Sequence, residues 1–153
     1  MHLSRAVIHD ISVRIERKGI EFYKAMKERV DDDFIDFMIE QEQQHIRVFS
    51  DIFGADRGEA DEEPFLRDYM DDSYLAAAYA DTEVFALVDP KTVEADKLYD
   101  VAISMEKNSL LFYTELIDGL QERYQAEIDL IKRIRDEEKE HLRMLVRKKM
   151  SLP

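Results

Sequence analysis

The chain has no cysteine. That absence removes disulfides, thiolate nucleophiles, zinc–thiolate sites and iron–sulfur clusters together, so any bound metal must be held by oxygen and imidazole nitrogen. Glycine and proline are scarce, four and three in 153 residues, which leaves little room for the turns of an all-β fold. A basic surplus is missing too. With 22 Lys and Arg against 35 Asp and Glu the formal charge is −13, the wrong sign for phosphate backbones, so no nucleic acid partner is expected and cations are the natural clients. No apolar run approaches the roughly 20 residues that cross a bilayer. The N-terminal Met-His-Leu-Ser-Arg-Ala-Val-Ile-His-Asp lacks the uninterrupted apolar segment of a signal peptide. No membrane association is expected, and the expected location is the cytoplasm.

What the chain does have is helix-forming composition with helical periodicity. At 45% hydrophobic, 153 residues suit one compact domain with its own core, spanning 1–153. Glu, Lys, Leu, Ile, Met and Ala dominate the long periodic segments, so the expected class is all-α. The pattern predicts a first helix over about 4–29, an acidic turn at Asp31, Asp32 and Asp33 that can cap the next helix, and that second helix over about 34–53. Residues 54–92 form a long connection, polar at first, with a short helix expected over 73–85 before the Asp89-Pro90 stop. A third helix is predicted over about 93–118, a turn at Gly119, and a fourth helix over about 122–149. Two helical hairpins, about 4–53 and 93–149, joined by so long a connection read as a four-helix bundle with one crossover.

The two hairpins echo each other. Ile-Glu-Arg-Lys-Gly-Ile-Glu-Phe-Tyr at residues 15–23 returns as Met-Glu-Lys-Asn-Ser-Leu-Leu-Phe-Tyr at 105–113. Each copy is followed by a Glu-x-x-His, Glu42 with His45 and Glu138 with His141. On helical wheels all six polar residues turn inward. Glu16 shares an arc with Ile8, Ile11, Ile15, Ile20, Phe22, Tyr23 and Met26. Glu42 and His45 lie among Phe34, Ile35, Met38, Ile39, Ile46, Val48, Phe49 and Ile52. Glu106 lies among Leu98, Tyr99, Ala102, Ile103, Leu110 and Tyr113, and Glu138 and His141 among Leu130, Ile131, Ile134, Leu142 and Leu145. In each antiparallel hairpin the single Glu and the Glu-x-x-His are symmetric about the turn, with midpoints near Val30 and residue 123, so they meet at one height.

Four inward carboxylates lose several kcal/mol of hydration each unless cations compensate them. Two divalent ions bring about four positive charges against four carboxylates and two neutral imidazoles, which favours a pair of metals over one. The Glu-x-x-His spacing puts both side chains one turn apart on one face, where the carboxylate can bridge two ions and the imidazole binds one. So oxygen-rich a set suits iron first, or manganese; zinc is an alternative, though it prefers fewer oxygens. One Glu-x-x-His is unremarkable in a Glu-rich chain, and the weight lies in the duplication, the inward orientation and the matched heights together. The same test sets aside His2 and His9, which have no duplicated counterpart and read as terminal or surface histidines. Tyr23 and Tyr113, each seven residues after a ligand Glu, are core aromatics whose hydroxyls can reach a site carboxylate. Gln41 and Glu137, at the edges of the apolar arcs, read as partly solvated flanks. Leu111, apolar on an otherwise polar arc, is the expected oligomer contact.

With these residues in hand, the sequence resembles the rubrerythrin branch of the ferritin-like superfamily over essentially its whole length. The resemblance implies a ferritin-like four-helix bundle and a di-iron centre in which Glu42 and Glu138 bridge the metals. Glu16 and His45 would complete one coordination sphere, Glu106 and His141 the other. It implies reduction of hydrogen peroxide or dioxygen, or oxidation of ferrous iron as a ferroxidase, in oxidative-stress defence or iron homeostasis, and assembly as a homo-oligomer. Two departures stand out. A typical rubrerythrin carries a Cys-bound iron domain that feeds electrons to the site, and a chain without Cys implies an external electron donor protein. Rubrerythrins also place an extra Glu one turn after the third helix's ligand, where this chain has Ser109, leaving six protein ligands. A non-enzymatic metal-binding or interaction bundle is the remaining alternative.

Overall fold

The structure is a computed structural model that describes residues 5–54, 89–120 and 124–153. Four α-helices account for nearly all of these: α1 Arg5–Lys27, α2 Asp33–Phe53, α3 Ala95–Gly119 and α4 Gln125–Met150. The helix expected over 73–85, and most of the connection around it, lies outside the described residues. None of the described helices is long and apolar enough to cross a membrane.

Three of the helix boundaries have a visible cause. The Asp32 side chain accepts the Phe34 N–H at 3.0 Å and so caps α2, the role predicted for the acidic turn. Before it, the Val30 N–H reaches back to the Met26 carbonyl at 2.9 Å and closes α1. α3 begins two residues later than the periodicity predicts. Asp89 accepts the Lys91 N–H on its side chain at 2.9 Å and the Thr92 and Val93 N–H groups on its carbonyl, winding residues 89–93 into a turn. Arg29, from the other hairpin's turn, holds this turn by the carbonyls of Pro90, at 2.6 Å, and Val93.

α1 packs on α2 and α3 on α4, and the hairpins join through α1 against α3 and α2 against α4. Two apolar clusters fill the interior. One gathers Ile8, Ile11 and Ile15 of α1, Phe49 and Phe53 of α2, Phe112 and Leu116 of α3, and Ile131 and Ile134 of α4. The other gathers Phe22 and Met26, Phe34 and Met38, Leu98 and Ala102, and Leu145. The first cluster thus holds the start of α1, the end of α2, the end of α3 and the start of α4. α2 and α3 therefore run parallel: α2 ends at one end of the bundle and α3 starts at the other, the polarity of a one-crossover bundle. The six inward polar residues lie in the layer between the two clusters. Leu111 is 37% exposed on α3, pointing away from both.

Candidate metal centre

One side chain from α1, two from α2, one from α3 and two from α4 meet in that layer, and none of the six is more than 4% exposed. They form two overlapping groups. Glu16, Glu42, His45 and Glu138 each offer a donor atom within 4.8 Å of the other three, and Glu42, Glu106, Glu138 and His141 do the same. Glu42 and Glu138 belong to both groups. The two imidazoles lie side by side, ring centres 5.7 Å apart and planes 24° from parallel. Glu42 packs over α1 where the chain has Gly19; a Cβ there would stand 3.5 Å from its carboxyl carbon.

Hydrogen bonds orient these groups from behind. Tyr23 on α1 donates its hydroxyl to Glu106 Oε1 on α3, and Tyr113 on α3 donates to Glu16 Oε1 on α1. Each tyrosine therefore reaches the glutamate of the opposite hairpin and occupies one carboxylate oxygen, leaving Oε2 turned toward the centre. Glu16 Oε2 lies 3.2 Å from His45 Nδ1, and Glu106 Oε2 lies 3.4 Å from His141 Nδ1. On its other edge His45 donates from Nε2 to Glu137 Oε2 at 2.9 Å. Because an ionised carboxylate only accepts, that bond puts a proton on Nε2 and leaves Nδ1 as the nitrogen facing the centre.

The carboxylates do not share one protonation state. Burial first, then the Glu16 and Glu138 charges, push Glu42 well above the usual carboxyl range. Burial and the Glu138 charge push Glu106 up to about 8, against the opposing pull of His141. Glu138 goes the other way: burial would raise it, but His141 and His45 hold it well below the usual range. Burial would lower both imidazoles, yet the surrounding carboxylates outweigh it, raising His45 strongly and His141 to about 10. Burial, with the adjoining Glu106 or Glu16 charge, keeps the hydroxyl protons on Tyr23 and Tyr113. Without a cation, protons on Glu42, Glu106 and the imidazoles hold the cluster's charges apart.

Three buried atoms here have no hydrogen-bond partner: Glu106 Oε2, Glu138 Oε1 and His141 Nδ1. Glu138 Oε1 stands 2.9 Å from His45 Nδ1, but out of line for a hydrogen bond. Orphaned polar atoms in a dry interior are costly, and all three belong to the candidate ligand set. Converging carboxylate oxygens and imidazole nitrogens, once they give up their protons, fit divalent metal ions.

Three residues differ from the sequence reading. His9 is not a surface histidine: it is 6% exposed, its Nδ1 3.0 Å from Asp10 Oδ1 and its Nε2 3.3 Å from Ser50 Oγ, because the start of α1 packs against the last turn of α2. It stays outside both donor groups; His2 lies outside the described residues. Glu137 is more than a solvated flank, since it holds His45. Phe37, which sequence reasoning passed over, sets its ring edge-on to His141 with centres 6.1 Å apart. Gln41 makes no hydrogen bond to either histidine among the described residues.

The fold has a known counterpart. The chain superposes on the crystal structure of a Thermotoga maritima protein provisionally described as a ferritin-like diiron-carboxylate protein. The TM-score is 0.64 and the identity 26%, over 98% of this chain and 97% of that one. The fold is ferritin-like. No protein-family model matches the sequence, and no curated protein matches it. The ferritin-like bundle thus carries a carboxylate and histidine cluster suited to a pair of metals, at the place where four helices face one another.

Proposed function

We propose that this chain is a rubrerythrin-like di-iron oxidoreductase that reduces hydrogen peroxide, or dioxygen, with electrons from an external donor protein. The observation that carries this reading is the sharing of Glu42 and Glu138 between two four-residue donor groups. Two carboxylates common to both groups are what a bridged metal pair needs. The flanking Glu16 with His45 and Glu106 with His141 would give each ion one further carboxylate and one imidazole. The hard, oxygen-rich set favours iron or manganese over zinc. When bound, the metal pair supplies the two electrons that, with two protons, convert one hydrogen peroxide to two waters.

The chain's own residues prepare the site for that chemistry. Tyr23 and Tyr113 hold one oxygen each of Glu106 and Glu16, so the other oxygen is offered inward in a fixed orientation. Their hydroxyls keep their protons at neutral pH and remain donors throughout. The apolar clusters on either side keep bulk water out and strengthen every charge interaction between them. The chain has no cysteine, and so no thiol or iron–sulfur group of its own to return electrons, which favours an external donor protein.

A second reading, ferroxidase action with ferrous iron as the substrate, is favoured by one observation. Glu137 bonds His45 inside the bundle while its side chain is 43% exposed, a carboxylate step between an acidic surface and the centre. Anaerobic loading with Fe(II), followed by one equivalent of peroxide or of dioxygen, separates the readings. Two irons per chain, oxidised faster by peroxide than by dioxygen, is the result expected. Faster reaction with dioxygen and continued Fe(II) uptake over many equivalents would establish the ferroxidase. Failure to bind stoichiometric metal would leave a non-enzymatic bundle.

A further inference from the structure

The duplicated hairpins place matching residues just before each paired glutamate: Gln41 before Glu42 on α2, and Glu137 before Glu138 on α4. The duplication fails at this pair. Glu137 reaches across to α2 and accepts the His45 Nε2–H at 2.9 Å. Gln41, its counterpart, makes no hydrogen bond to His141 among the described residues. Phe37 lies beside His141, its ring edge-on with centres 6.1 Å apart and stacked on Phe34. One imidazole is backed by a carboxylate, the other by an aromatic ring.

That difference acts on metal binding directly. An imidazole whose Nε2–H is held by a carboxylate has a fixed tautomer and ring orientation, with the Nδ1 lone pair aimed inward and made a stronger donor. His45 meets that description. Among the described residues His141 has no such acceptor to fix its tautomer, and its Nδ1, 3.4 Å from Glu106 Oε2, makes no hydrogen bond. Building on the dinuclear reading, we propose that the two metal positions are unequal, with Glu137 acting through His45 as the positioning residue. The Glu16 and His45 position fills first and holds more tightly; the Glu106 and His141 position fills second and exchanges. If ferrous iron is the substrate, the second position is the one it passes through.

Calorimetric titration of the whole chain with Co(II) under anaerobic conditions tests this without calling on activity. The unaltered protein should take up two Co(II) in two resolved steps. Glu137→Gln keeps the side chain's shape at a partly exposed position. It should weaken the tighter step roughly 10–100-fold, the usual effect of removing such a partner, and leave the weaker step nearly unchanged, merging the two. Gln41→Glu should merge them from the other side, tightening the weaker step. His45→Ala should abolish the tight step, and His141→Ala the weak one. A single step with equal affinities in the unaltered protein would overturn the inequality while leaving two metals in place. So would Glu137→Gln weakening both steps equally or neither. Fewer than two Co(II) per chain would overturn the dinuclear reading itself, whatever the variants do.

Discussion

The Tyr23 hydroxyl on α1 donates to Glu106 Oε1 on α3, joining the two hairpins through a bond made inside the site. Tyr113 returns the bond to Glu16, so each first helix holds the other's glutamate by one oxygen. Both tyrosines are essentially unexposed. Tyr23→Phe should leave Glu106 Oε1 unsatisfied, costing about 1–3 kcal/mol of stability in the metal-free protein. It should also weaken metal binding at the Glu106 and His141 position roughly 10–100-fold. Thermal melting and a metal titration on the same preparation check both. Unchanged affinity in a folded variant would show that the hydroxyl does not orient the carboxylate.

Glu42 and Glu138 are the two residues common to both donor groups, so their loss should differ in kind from the loss of a flanking glutamate. Glu42→Gln or Glu138→Gln should lower the metal content from two per chain to one or none and abolish turnover at the same time. Glu40→Gln, on the exposed face two residues before Glu42, should change neither. Metal analysis after loading and desalting is the measurement. A Glu42→Gln protein that keeps two metals and full turnover would remove the bridging assignment.

Much of this site could be read in advance because three independent regularities agree on the same residues. Helical periodicity turns Glu16, Glu42, His45, Glu106, Glu138 and His141 inward, the internal repeat pairs them, and symmetry about each turn sets their heights. All three are properties of one helix or one hairpin. What stayed illegible depends on a neighbour from elsewhere in the chain. Glu137 sits at the edge of its own helix's apolar arc, and only the approach of α2 supplies the His45 N–H that it accepts. Phe37 is 38% exposed, and its contact with His141 exists only because α2 and α4 pack together. His9 looked terminal because a helical wheel does not reveal that α2's last turn covers it. The later start of α3 has the same origin, since Arg29 of the other hairpin holds the turn before it.

Asp32 concentrates much of the turn-end stability in one side chain. It caps α2 at Phe34, accepts the Lys148 ammonium on both oxygens at 2.9 Å, and takes the Tyr99 hydroxyl at 3.4 Å. The Lys148 bonds and the cap outweigh the effect of burial and hold its carboxyl below the usual range. Asp32→Ala should cost about 1–2 kcal/mol, the usual loss for an N-cap, because the partly exposed ion pair adds little. In a chain of this size that lowers Tm by roughly 2–4 °C per kcal/mol. Metal stoichiometry should not change, because Asp32 lies a bundle-layer away from the donor groups. A lost metal with an unchanged Tm would be the opposite of this expectation.

The protonation pattern predicts how the metal-free protein responds to pH. His141 is raised to about 10 in the folded chain from about 6.5 when exposed. Folding therefore favours its charged form, and that stabilisation is complete below pH 6.5 and is lost as pH rises toward 10. Glu106 is raised to about 8 from about 4.3 unfolded, so folding favours its neutral form. Its ionisation is disfavoured in the folded state, and stability falls as pH rises between those values. Both groups act in the same direction between about pH 6.5 and 8, so chelator-treated protein should melt at progressively lower temperature across that window. Glu138, held low, contributes in the opposite sense only in acid. Divalent metal replaces the protons on Glu42, Glu106 and the imidazoles, so loading should release protons, measurable as a buffer-dependent binding heat. It should also flatten the decline, since the carboxylates then face cations and no longer one another. Melting curves at pH 6.5 and 8, with and without Mn(II), are the check. An equal decline in both samples would mean that the metal does not bind at these carboxylates.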